Sequence, residues 1–169
     1  MEGKNIIVLV HDVFEDLELW YPVHRLREEG ANVLLAAPEK GVVYKGKHGV
    51  PAKSDIAINE INMNDVDGIV IPGGYAPDKL RRIEKANNLV KEADNQNKPI
   101  AMICHAGWVP ISAKIVEGRK LTSVGAIKDD LINAGANWVD EAVVVDKNLV
   151  SSRTPADLPV YMKAYISLF

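Results

Sequence analysis

The chain has one cysteine, Cys104, among its 169 residues. A lone thiol cannot close an internal disulfide and cannot assemble a zinc site by itself. No apolar run approaches the ~20 residues that a bilayer-spanning helix needs, so no membrane partner is expected. There is no excess of basic charge either. The formal net charge is -3, which gives no reason to expect nucleic acid or an anionic lipid surface as a partner. Repeats, low-complexity tracts and linkers are missing, and the expectation is one domain over residues 1–169, long enough to bury a core. The opening MEGKNIIVLVHDVFED turns acidic after a short apolar stretch, unlike a secretory signal, so the expected location is the cytoplasm.

What is present is 47% hydrophobic and 25% charged, with patterns that alternate between two periods. NIIVLVH (residues 5–11) is a continuous apolar run rich in β-branched residues, as a strand buried on both faces requires. After it, Leu19, Val23 and Leu26 recur at helical spacing until Gly30 stops the pattern. ANVLLAAP reads as a second strand. The glycine-rich polar stretch from Lys40 to Asp55 reads as a hairpin or loop excursion. DGIVIPGG and KPIAMIC are further core strands, separated by a helix with Leu89, Val90 and Ala93 on one side. AVVVD, NLVSSR and a closing helix from PADLP complete the chain. Strands alternating with helices predict an α/β fold with a mainly parallel sheet covered on both faces.

In such sheets ligands bind beyond the carboxyl ends of the strands. Three of these ends carry suggestive residues: Glu15 after the first, Gly73-Gly74 after the third, and Cys104-His105 after the fourth. Cys104 is either the buried last residue of a strand or a nucleophile displayed at a tight strand-to-helix turn. Ala106 and Gly107 are small enough to permit the turn, and a helix N-terminus there favours thiolate. Glu15 could hold the sulfur, although Asp12, Asp16 and Glu18 share with it the simpler capacity to cap or solvate a helix start. Gly73 and Gly74 could offer backbone donors to an oxyanion, and turn chemistry alone also explains them. At a sharp elbow His105 could act as base toward its neighbour. His11, His24 and His48 show no ligand spacing, and no metal or cofactor is expected.

FEDLELWYPVHRLREEGANV, the Gly46–Gly49 step GKHG, DGIVIPGGYAPDKLR, KPIAMICHAGW, IKDDLINAGANWVDE and VSSRTPADLP together resemble the PfpI-type intracellular peptidase family. Its superfamily also holds protein deglycases and glyoxalase-like enzymes. The resemblance implies a three-layer sandwich of the flavodoxin-like, class I glutamine amidotransferase-like kind. It implies a nucleophile at Cys104, His105 beside it, a thiol-contacting glutamate at Glu15, and an oxyanion hole at Gly73-Gly74 with the His105 amide. It further implies an acidic residue from a neighbouring subunit, here Asp78, within a homo-oligomer of dimers up to hexamers. The family residue there is usually glutamate, so the carboxylate of Asp78 is one methylene shorter. Cys104-His105-Ala106-Gly107 stands where Cys-His-Gly-Pro is usual, and Val124-Gly125-Ala126 stands where an aromatic residue precedes Pro-Gly. Arg153 is expected to be structural.

The first functional expectation is hydrolysis of peptides by a Cys104 thiolate. The alternative is cofactor-independent deglycase or glyoxalase chemistry on methylglyoxal or its adducts, needing only Cys104 and Glu15. A third reading is a non-catalytic stress-response redox sensor or chaperone, whose thiol is oxidised instead of turning over substrate.

Overall fold

The structure is a computed structural model describing residues 1–169. The chain begins β1 (Asn5–Leu9), α1 (Asp16–Glu28), β2 (Asn32–Ala37), β3 (Val43–Lys45), β4 (Pro51–Lys53) and β5 (Ile56–Ala57). It continues β6 (Gly68–Ile71), α2 (Ala76–Leu80), α3 (Glu84–Asn95), β7 (Ile100–Ile103), a 3-10 turn Cys104–Gly107 and α4 (Trp108–Ser112). β8 (Lys120–Leu121), α5 (Lys128–Asn133), β9 (Asn137–Trp138), β10 (Val143–Asp146), β11 (Leu149–Ser152) and α6 (Leu158–Ile166) complete it.

The main sheet has the order β10-β11-β7-β6-β1-β2-β5, all parallel except the β10-β11 pair. Its apolar runs explain that placement. Ile6 to Leu9 and Ile69 to Ile71 are at most 2% exposed, because helices cover both faces of the central strands. A cluster of 48 buried residues joins the sheet to helices such as α3, which buries Leu89, Val90 and Ala93. The expected excursion from Lys40 to Asp55 contains the antiparallel hairpin β3-β4.

Reading only the long strands, the order β2-β1-β6-β7-β11 reverses direction between β1 and β6. That switch point opens a crevice at the carboxyl edge. The three strand ends singled out in the sequence belong to β1, β6 and β7, which are consecutive in the sheet. The α/β sandwich with a mainly parallel sheet is the architecture found.

Candidate active site

Cys104 sits where β7 stops, with φ of +62°. A left-handed backbone at a non-glycine residue costs on the order of 1–2 kcal/mol and persists only where surroundings enforce it. Here that strain turns the side chain out of the sheet. The sulfur is partly buried, and the His105 ring folds back so that Nδ1 lies 3.2 Å from Sγ. The elbow therefore brings two adjacent residues together, which a regular strand would not.

The next loop back is built around Gly74. Its φ is +77°, and a Cβ there would lie 2.5 Å from Glu15 N and Val13 O. This close approach lets Phe14 and Gly74 form an isolated antiparallel bridge, so the β1–α1 loop is pinned onto the β6–α2 loop. Tyr75 N–H donates to Val13 O at 2.8 Å, adding a second tie.

Glu18, not Glu15, is the acid at the sulfur. Glu15 is the N-cap residue of α1 and stays at the rim, with its Oε2 buried and unpartnered. Glu18 lies one turn further into the helix, on the stripe that buries Pro22 and Leu26, and is fully buried. Its Oε2 accepts the Gly73 N–H at 2.9 Å. Its charge and the Cys104 thiol act on each other directly. That contact is looser than the Gly73 bond, since Oε1 has no partner of ordinary hydrogen-bond geometry. The sequence carried a signal for this: Glu18, Pro22 and Leu26 share the four-residue spacing of a buried helix face.

Two further expectations change. Gly73 N–H is committed to Glu18, so it is not a free oxyanion donor. The amides directed at the sulfur are those of Gly74 and His105. The thiol is also not predisposed to ionise. Burial and the Glu18 carboxylate push Cys104 up to about 12, against the opposing pull of those two amides. The helical segment beyond the elbow is a 3-10 turn followed by five residues of α4, too short to supply a large dipole.

Glu18 itself is raised to about 8, first by burial and then by the charge of Glu15, with the Gly73 amide opposing. It holds its proton at neutral pH. His105 is lowered, by burial and by Lys47, so its ring is neutral there. The sulfur thus lies between a neutral imidazole able to accept a proton and a carboxylic acid able to give one.

Around this centre the other residues take structural roles. Asp16 is buried, and its carboxylate accepts His48 N–H at 2.8 Å and Val50 N–H at 2.9 Å. Glu15, Asp16 and His48 offer ligand atoms within 4.8 Å of one another, but both Asp16 oxygens are committed to those amides. Asp78, on α2, pairs with Arg82 in its own chain. The His105 ring packs tilted against Trp108, with centroids 5.2 Å apart and planes at 53°, and makes no hydrogen bond through Nε2 within the chain. Arg153 bridges Asp140 and Asp157 at 2.8 and 2.9 Å. A hollow of about 280 Å³ opens beside it. Val124 lines that hollow, and Trp138 supplies its aromatic wall.

A mainly parallel α/β sheet with a strained cysteine elbow one strand from its switch point defines a nucleophile-bearing class of enzyme. The chain belongs to the DJ-1/PfpI family, whose model matches residues 4–168. It is 47% identical over 164 residues to "Deglycase PfpI" of Pyrococcus furiosus, covering 97% of this chain and 98% of that one. It is 41% identical over 166 residues to "Putative cysteine protease YraA" of Bacillus subtilis, covering 98% of each. A solved two-domain protein from Anabaena variabilis with DJ-1/ThiJ/PfpI-like and ferritin-like domains superposes with a TM-score of 0.96 at 37% identity. That match covers 98% of this chain and 48% of the two-domain protein. Family membership and a single cysteine at the elbow support a cysteine-dependent enzyme. No helix is long and apolar enough to cross a membrane.

Proposed function

We propose that the protein is a cofactor-independent enzyme of the deglycase or glyoxalase type, acting on α-oxoaldehydes such as methylglyoxal or on the adducts they form. The observation that carries this is the pairing of a neutral His105 at 3.2 Å from Sγ with a protonated Glu18 on the same thiol. Several relatives carrying deglycase names point the same way.

Cys104 Sγ adds to the aldehyde carbon. The thiol proton passes to His105 Nδ1 and on to the former carbonyl oxygen, which the Gly74 and His105 amides hold. Glu18 gives its proton to the adjacent ketone oxygen, then as carboxylate takes the hydrogen of the sulfur-bearing carbon as a proton. An enediol results. Returning that proton to the neighbouring carbon, while the hydroxyl on the sulfur-bearing carbon loses its own to His105, leaves a thioester of a 2-hydroxy acid. Water then releases the acid and restores the thiol, and the proton held by His105 returns to the Glu18 carboxylate, which closes the cycle. Peptide hydrolysis demands more, because His105 must protonate an amine leaving group while held by a carboxylate, which only a partner subunit could supply. The aldehyde route asks only for Cys104, His105 and Glu18 of one chain.

The test compares lactate formation from methylglyoxal, and release of free amine from a methylglyoxal-treated protein, with cleavage of a fluorogenic peptide. Cys104→Ser is the control. Lactate or amine release that survives in Cys104→Ser, or peptide cleavage without either, sinks the reading.

A further inference from the structure

Two opposite charges face one hollow between α2, α4 and α5 and do not meet. The hollow, of about 430 Å³, is lined by Arg81, Trp108, Ile111, Asp130, Asn133 and Ala134. Arg81 is anchored to one wall: its Nε donates to Ser112 Oγ at 3.2 Å, and its guanidinium carbon lies 5.8 Å from the centre of the Trp108 ring. Asp130 is anchored elsewhere, its Oδ2 accepting the Trp108 indole N–H at 2.8 Å. No carboxylate pairs with Arg81, Asp130 included, and Asp78, three residues earlier, is taken by Arg82. Both terminal nitrogens of Arg81, Asp130 Oδ1 and the Asn133 side-chain amide are thus left without a partner in the chain.

We infer that this hollow is a binding site for a free α-amino acid, separate from the catalytic centre. A carboxylate fits the planar fork of Arg81, which can give it two parallel N–H bonds. The ammonium on the adjacent carbon fits Asp130 Oδ1, with the Asn133 carbonyl as a further acceptor. Ile111, Ala134 and the Trp108 ring offer apolar surface to the side chain. A simple anion would satisfy Arg81 but meet Asp130, and a simple amine would do the reverse. A ligand carrying both charges close together answers both walls. The volume lies within the roughly 300–1,000 Å³ of small-molecule pockets. Trp108 also packs against His105, so the hollow is one ring away from the catalytic imidazole.

The test is calorimetric titration of the intact protein with L-leucine, N-acetyl-L-leucine and L-leucine amide. The first carries both charges, the second the carboxylate alone and the third the ammonium alone. L-Leucine should bind, and each blocked derivative should bind about tenfold or more weakly. Arg81→Met should weaken L-leucine by a similar factor and cease to distinguish it from the amide. Asp130→Asn, which keeps an acceptor for the indole N–H, should cease to distinguish it from the N-acetyl derivative. Equal binding of the three compounds, or an Arg81→Met protein that binds L-leucine as the wild type does, overturns the inference. So does a failure of L-leucine, glycine and L-phenylalanine alike to bind. Sedimentation addresses the rival occupant: a shift of Arg81→Met to smaller species assigns the guanidinium to contacts between copies and overturns the site. If Cys104 turns over no aldehyde, the enzymatic reading falls while the titration still decides this hollow.

Discussion

Gly73 N–H donates to Glu18 Oε2 at 2.9 Å, and this bond fixes the acid of the site beneath the cysteine elbow. Gly73 has no room for a side chain, since a Cβ would lie 2.3 Å from that oxygen and 2.7 Å from Cys104 Cβ. The glycine serves the acid instead of the substrate.

Glu18→Gln separates sulfur reactivity from turnover. All the influence of Glu18 on Cys104 is upward, through its charge and its contact with the thiol. The variant should therefore lower the thiol pKa and speed alkylation in mildly alkaline buffer. Turnover of methylglyoxal should still fall about 100-fold or more, because the proton shuttle is gone. Glu15→Gln, at the rim, should change both far less. Equal effects of the two substitutions on alkylation and turnover would return Glu15 to the centre.

The raised Glu18 also predicts how activity and stability depend on pH. Below the ordinary carboxylate range both folded and unfolded chains hold the proton. As pH climbs to about 8, the unfolded chain has ionised while folded Glu18 has not, so its contribution to stability is progressively lost and then levels off. Urea denaturation across this range should show a decline that Glu18→Gln flattens. Turnover should fall on the alkaline side as Glu18 loses its proton near 8. A wild-type rate still rising well beyond that point would exclude Glu18 as the acid.

How much of this was legible in the sequence depends on how local each signal was. The strands NIIVLVH, DGIVIPGG and KPIAMIC announced themselves by apolar runs, and their alternation with helices fixed the neighbourhood of Cys104 and Gly73-Gly74. The choice between Glu15 and Glu18 turned on helix phase. Glu15 stands first after Phe14 and looks like the strand-end residue, yet only Glu18 shares the buried stripe with Pro22 and Leu26. The thiol pKa was not readable at all. It depends on burial and on a carboxylate 86 positions away, whereas the sequence suggested only a helix start, which proved to be a short 3-10 turn. β5, β8 and β9, each two residues long, are too brief to carry a period.

The two glycines of the site should fail differently on substitution. At Gly74 an alanine would need φ of +77° and would meet backbone atoms of Val13 and Glu15 at 2.5 Å, which cannot retreat without opening the loop. Gly74→Ala should cost about 3 kcal/mol or more in stability. Gly73→Ala meets a carboxylate tip first, and so should displace Glu18 before it unfolds anything. Its thiol pKa should drop as in Glu18→Gln, with turnover lost. Thermal melting and alkylation profiles of both variants decide the matter, and a Gly73→Ala protein with native turnover would refute it.

The remaining prediction concerns assembly. His105 Nε2 makes no hydrogen bond within its own chain, and Asp78 is 42% exposed with only Arg82 as partner. We propose that Asp78 of the partner subunit orients the His105 ring in a homo-oligomer. Cys104→Ala chains and Asp78→Ala chains should then each be impaired. Co-refolding equal amounts should restore roughly a quarter of the wild-type sites, because random pairing makes half the dimers mixed and each mixed dimer holds one complete site. Single-residue Asp78→Ala protein with unimpaired turnover would remove the shared acid from the mechanism. The route through Cys104, His105 and Glu18 would then have to operate with an imidazole positioned by Trp108 alone, at 5.2 Å between ring centres.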